Sequence, residues 1–227
     1  MYKFKLTFLL LTALIFAACD QNKKPTADES TKSSTAAQPD AAAASKTVLF
    51  FGDSLTAGYG LDDPSEAFPG VIKDKIDSLK LPYKVVNAGL SGETTAGGNA
   101  RLDWLLKQKV DVFILELGAN DGLRGIPVNE THKNLQSIID KVKAKYPEVK
   151  IVLLGMQVPP NMGADYASKF KAVFPDLATK NHTQLVPFFL QGVAGIPTLN
   201  QADGIHPTPQ GAKIAANNVW EVLKGIL

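Results

Sequence analysis

The chain has 227 residues but only three histidines, so chemistry that needs a neutral base near pH 7 has few places to occur. His132 lies on the polar face of an amphipathic segment after Asn129. His182 sits in the polar stretch Lys180-Asn181-His182-Thr183. Both fit a solvated surface. His206 is set differently, because Asp203-Gly204-Ile205-His206-Pro207 places a carboxylate three residues before an imidazole. A turn that short lets Asp203 orient the ring and support the imidazolium formed when the ring accepts a proton. An Asp-x-x-His pattern alone is more often an ordinary turn, so a catalytic role also needs a nucleophile and donors for a developing negative charge.

The nucleophile candidate is Ser54 in Phe51-Gly52-Asp53-Ser54-Leu55, directly after an apolar run. A serine hydroxyl reacts only when a base takes its proton, which requires His206 within hydrogen-bond reach. Gly52 is expected to let the chain turn sharply and to leave space near the hydroxyl. The plain alternative is a serine capping the next helix. Two further loops could stabilise an oxyanion. Ser91-Gly92-Glu93-Thr94 offers the Gly92 backbone N–H, and Leu117-Gly118-Ala119-Asn120-Asp121 offers the Asn120 amide. Singly, each is only a polar turn.

For these residues to meet, the elements between them must bring five loops to one edge. Apolar, β-branched-rich runs recur at 46–51, 84–88, 110–117, 150–156 and 184–189. Most are continuous rather than alternating, as in strands buried on both faces of a parallel sheet. Between them lie helical stripes, one of Leu135, Ile138, Ile139 and Val142 and another of Leu102, Leu105 and Leu106. Alternating strands and helices predict a three-layer α/β/α sandwich. A last helix is marked by Thr208 as N-cap, Pro209 at its first position and Gly225 near its end. Ligands of such sheets bind where strands end in loops, here 52–60, 89–98, 118–125, 157–163 and 203–206.

Taken together, Gly52-Asp53-Ser54-Leu55, Gly92, Gly118-Ala119-Asn120-Asp121 and Asp203-Gly204-Ile205-His206-Pro207 resemble, in order and spacing, the sequence blocks of the SGNH (GDSL-type) hydrolases. Ser54-Leu55-Thr56-Ala57-Gly58-Tyr59, 116–125 and Val186-Pro187-Phe188-Phe189 are similar to phrases of that family's periplasmic acyl thioesterases, arylesterases and lysophospholipases. The resemblance implies a flavodoxin-like fold with a five-stranded parallel sheet and no metal or organic cofactor. It implies a serine esterase in which Ser54, His206 and Asp203 act through an acyl-enzyme, with an oxyanion hole from the Ser54 and Gly92 N–H groups and the Asn120 amide. The loop carrying Pro159, Pro160 and Asn161 would lie beside the substrate. Activity is expected to fall on acidification, when His206 is charged. A carbohydrate acetylesterase of the same fold is the nearest alternative. From another class comes a lipoprotein that only binds. A metal hydrolase built on Asp53, Asp203 and His206 lacks ligand spacing.

The first residues point outside the cytoplasm. Lys3 and Lys5 precede an apolar run from 6 to 18, too short to span a bilayer comfortably and laid out as a secretory signal. Ile15-Phe16-Ala17-Ala18-Cys19 resembles the lipobox of bacterial lipoproteins, which implies cleavage after residue 18 and a lipid on Cys19. From Asp20 to Ser45 there is no aromatic or large aliphatic residue, so this stretch is expected to be a disordered leash reaching about 25–30 Å. The remaining residues, 46–227, suffice for one domain. With a single cysteine no internal disulfide can form. Without Lys3 and Lys5 the basic and acidic residues are equal in number, and no basic stripe suggests nucleic acid. No cluster of cations stands ready for a charged head group, so an acyl-ester or lipid substrate gripped by apolar contact is expected. The enzyme is expected to act as a monomer, anchored to a bacterial membrane facing the periplasm or cell exterior.

Overall fold

The computed structural model describes residues 45–227. The expected signal, the lipidation site Cys19 and the leash up to residue 44 lie outside the described residues. Strand β1 (Lys46–Gly52) leads into the short helix α1 (Ser54–Ala57), then α2 (Phe68–Ser78) and β2 (Tyr83–Gly89). Next come α3 (Thr95–Leu105), β3 (Val112–Glu116), α4 (Ala119–Leu123) and α5 (Val128–Lys145). The chain ends with β4 (Lys150–Leu154), α6 (Ala164–Asn181), β5 (Gln184–Val186) and α7 (Pro209–Leu223).

The five strands form one parallel sheet in the order β2-β1-β3-β4-β5. Right-handed crossovers explain the layers. The step from β1 out to β2 puts α2 on one face, and the reversal from β2 across β1 to β3 puts α3 on the other. α3 then packs on α5 and α5 on α6, while α7 returns to pack on α2. This is the expected three-layer sandwich.

Continuous apolar runs become buried strands. Val48, Phe50, Phe51 and all of β3 are almost wholly buried, while β2, at the edge, is only partly so. The stripe Leu135, Ile138, Ile139 and Val142 is fully buried along α5. Each such large side chain contributes roughly 1.5–3 kcal/mol. The fifth strand is shorter than its apolar run because Pro187, which has no N–H for the ladder, follows Val186. Thr208 caps α7 through Gly211 N–H, with Pro209 at the first turn, as its sequence predicts.

Two features of the sheet position the site. The order in which strands are added reverses between β1 and β3, so the connections that leave these parallel strands turn to opposite faces and open a crevice at their carboxyl ends. The register aligns Gly52 with Gly89 of β2 on one side and with Glu116 of β3 on the other. The loops carrying Ser54, Gly92 and Asn120 therefore start at one level.

Candidate active site

Ser54 opens α1, whose N-cap Asp53 accepts from the Leu55 N–H at 3.0 Å. The turn holds the Ser54 side chain at the sheet edge rather than in a strand. His206 arrives from the segment before α7, 152 positions later, and its Nε2 lies 2.8 Å from Ser54 Oγ. Its Nδ1 lies 2.7 Å from Asp203 Oδ2. Asp203 Oδ1 also accepts from the Ile205 and His206 backbone N–H groups, each at 3.0 Å, so the Asp-x-x-His turn closes on its own carboxylate.

Partial burial acts to raise the Asp203 pKa. The His206 backbone N–H, the His206 ring and the Ile205 N–H outweigh it and hold the carboxyl at about 2. An ionised Asp203 accepts a hydrogen bond from Nδ1–H, which leaves Nε2 as an acceptor facing the Ser54 hydroxyl. That arrangement can move a proton from Oγ to Nε2 as Oγ attacks a carbonyl carbon.

Ser54, Gly92 and Asn120 line one cleft of about 650 Å³ together with His206. Gly92 has φ +79°, a conformation that L side chains rarely adopt, and nothing lies within 4 Å of where its Cβ would be. Backbone geometry, and not crowding, therefore calls for glycine there. Arg124 donates to Gly92 O at 3.1 Å, tying this loop to the end of α4. Behind it, the Arg101 guanidinium bonds Glu93, Ala88 O and Gly52 O, clamping the ends of β1 and β2 to the loop. Asp121 is buried and accepts from the Thr95 N–H at 2.8 Å, which joins α3 to α4.

Gly52 serves otherwise than expected. A Cβ there would lie 2.0 Å from Thr56 Oγ1 and 2.5 Å from Glu116 Oε2, so the space it leaves is taken by those groups and not by the Ser54 hydroxyl. Asp53, Thr56 and Glu116 are fully buried beneath the site. Burial and the neighbouring Asp53 push the Glu116 carboxyl well above its usual range. Burial also raises Asp53, partly offset by hydrogen bonds from the Leu55 N–H and Asn120.

Pro159 and Pro160 form part of the cleft wall, but Asn161 is exposed on the 3₁₀ turn Pro160–Met162 and does not line it. Most of the wall is apolar, from Leu123, Met156, Val158, Phe188, Leu190 and Ile205. His182 is exposed at the left-handed C-cap of α6, and His132 is half-buried on α5; neither approaches this site. The segment after β5, which supplies Phe188 and Leu190, and the carboxyl of Glu116 were not foreseen. The only sequence signal for Glu116 is an acidic residue that ends the apolar stretch 112–115.

Known proteins resemble this chain in sequence and fold. The profile of the GDSL-like Lipase/Acylhydrolase family matches residues 50–214. Esterase TesA of Pseudomonas aeruginosa is 42% identical over 186 residues, covering 82% of this chain and 91% of that protein. The arylesterase of Vibrio mimicus is 40% identical, covering 81% of this chain and 90% of that one. Thioesterase 1/protease 1/lysophospholipase L1 of Escherichia coli K12 is 43% identical over 167 residues, covering 73% of this chain and 77% of that one. A crystal structure of TesA superposes with a TM-score of 0.76 at 42% identity, covering 80% of this chain and 100% of that one. With the sequence blocks, the 2-1-3-4-5 sheet and the extent of these matches in agreement, the chain belongs to the GDSL-like lipase/acylhydrolase family, the SGNH hydrolases, and is a hydrolase of ester bonds.

Proposed function

We propose that the protein hydrolyses acyl esters, aryl esters and lysophospholipid-type lipids among them, through an acyl-enzyme on Ser54. The reading is carried by one observation, the relay in which Ser54 Oγ, His206 and Asp203 stand 2.8 and 2.7 Å apart. As Oγ attacks the acyl carbonyl, Nε2 takes its proton and the carbonyl oxygen becomes an oxyanion. The N–H groups of Ser54 and Gly92 and the Asn120 amide stabilise that charge. The C–O bond to the leaving alcohol breaks as the imidazolium returns the proton to it, leaving an ester on Ser54. Water then attacks by the same route, giving the carboxylic acid and free Ser54.

The apolar wall of Leu123, Met156, Val158, Phe188 and Leu190 favours an acyl chain over a sugar ring, which needs polar partners for its hydroxyls. This favours an acyl esterase over a carbohydrate acetylesterase. Thioesters offer the same carbonyl to the same groups and belong to the expected range. The basic-then-apolar start and the lipobox-like run ending at Cys19 support export and a lipid anchor for this activity. Labelling with a fluorophosphonate tests the reading directly. Ser54 should be modified in the parent and nothing modified in S54A; labelling that survives S54A would defeat the assignment.

A further inference from the structure

Of the buried groups that this acyl transfer does not use, Glu116 is the least expected. It closes β3 at the level of Gly52, fully buried, in a strand otherwise apolar. Its Oε2 accepts from the Asp53 backbone N–H at 3.1 Å and from Thr56 Oγ1 at 2.7 Å. Its Oε1 is buried and accepts from no donor among the described residues. An ionised carboxylate with one oxygen unpaired in the interior is costly, whereas a carboxylic acid needs an acceptor, not a donor, at its hydroxyl oxygen.

Asp53 is its neighbour: the Asp53 backbone N–H is on Glu116 Oε2 at 3.1 Å, and the Asp53 carboxyl is fully buried beside it. Two carboxyls buried side by side favour one proton held between them, because both cannot ionise cheaply there. Asp53 has other donors: Leu55 N–H at 3.0 Å on Oδ1 and Asn120 Nδ2 at 3.1 Å on Oδ2. Glu116 has only the two that share Oε2, so the proton belongs on Glu116 and the charge on Asp53. The amide of Asn120 is planar, so fixing one N–H on Asp53 fixes the direction of the other.

We propose that Glu116 is a positioning residue: as a neutral acid it donates to Asp53, and Asp53 in turn holds the Asn120 amide oriented for the oxyanion. The inference rests on Asn120 serving in acyl transfer. It explains why Gly52 has no room for a side chain, since that volume holds the Thr56 hydroxyl and Glu116 Oε2. It also explains why neutrality matters, because a second charge behind the site would oppose the negative charge that forms in front of it.

The test uses full-length enzyme carrying E116Q, E116L, N120A and E116L with N120A. Fluorophosphonate titration first counts active sites; a parent that does not label would overturn the acyl-enzyme reading itself, whatever Glu116 does. E116Q keeps the shape and a donor, and its kcat should stay within about threefold of the parent. E116L should lower kcat about 10- to 100-fold with KM little changed, less than the about 100- to 1000-fold lost when an oxyanion donor is removed outright. In the N120A background E116L should cost nothing more. The infrared carbonyl band of a protonated carboxylic acid should be present in the parent at neutral pH and diminished in E116Q. The proposal falls if E116Q loses as much kcat as E116L, if E116L and N120A multiply, or if the band is absent. Should E116L not fold, T56V removes one donor to Glu116 and is read in the same cycle. A fewfold loss of kcat that vanishes in N120A supports the chain, and an equal loss in both backgrounds overturns it.

Discussion

The ring of Tyr59 lies against that of His206, with centroids 4.7 Å apart and planes tilted by 42°. Tyr59 follows α1, so the helix that begins with the nucleophile also brings an aromatic face to the base. An imidazolium forming against that face gains an attraction of about 0.5–1 kcal/mol. Replacing Tyr59 by leucine should lower kcat about two- to fivefold, while Y59F should match the parent. Steady-state kinetics on a short aryl ester decide it, and equal rates for Y59L and parent would remove this role.

Asp203→Asn alters the same imidazole from its other side. Without an ionised partner at Nδ1 the ring loses its tautomer and its support, and kcat should fall by about three to four orders of magnitude. Stability responds in a narrow window. Asp203 titrates at about 2 in the folded protein against 3.8 for a free side chain. A lowered carboxylate pKa adds stability that is present above pH 3.8 and lost as pH falls through 2. The Asp203 side chain is 37% exposed, so solvent screening keeps the gain small. Melting temperatures of parent and D203N should differ by a constant amount above that window and converge within it.

Glu116 has the opposite sign. Its folded pKa is raised from 4.5, so its contribution to stability is complete below 4.5 and lost as pH rises. A glutamine carries no such dependence. From pH 4.5 upward the parent should lose stability relative to E116Q, by at most about 1.4 kcal/mol per pH unit until the folded carboxyl ionises. Urea denaturation at a series of pH values measures this. A stability difference independent of pH would mean that Glu116 titrates alike in the folded and unfolded chain.

The apolar wall makes a quantitative claim on substrates. Each methylene buried there is worth about 0.8 kcal/mol, or roughly fourfold in kcat/KM. On a homologous series of acyl esters, kcat/KM should climb by about that factor per methylene from acetyl until the wall is covered, then level off. A series that peaks at acetyl would favour the carbohydrate acetylesterase.

Much of this was legible in the sequence because the chemistry of the site is unusually restrictive. With three histidines, only His206 had a carboxylate in a turn beside it. Ser54, Gly92 and Asn120 could be found because each follows a strand, and the continuous apolar runs reveal the strands. What stayed hidden depends on contacts between distant segments. Glu116 reads as one polar residue at the end of a strand until Gly52 and Asp53 come beside it. At Gly52 sequence shows that a side chain is missing but not that Thr56 and Glu116, rather than the Ser54 hydroxyl, fill its place. Sequence does not separate Asn161 from Pro159 and Pro160, because a loop has no visible inside and outside until the turn at Pro160 is formed. That Phe188 and Leu190 line the cleft is not legible in the sequence, because Pro187 ends the strand early and brings residues on either side of the buried Phe189 to the cleft wall.

A parallel sheet also has polarity. All five strands run toward the cleft, so Lys46, the first residue of β1, stands at the other end of the sheet. Lys150, the first residue of β4, bonds the Ile226 carbonyl, so the chain's last residues come to that same end. A bead, a chip or a fused partner joined directly before Lys46 or at the C-terminus would thus grip the domain by its back and leave the mouth free for soluble substrate.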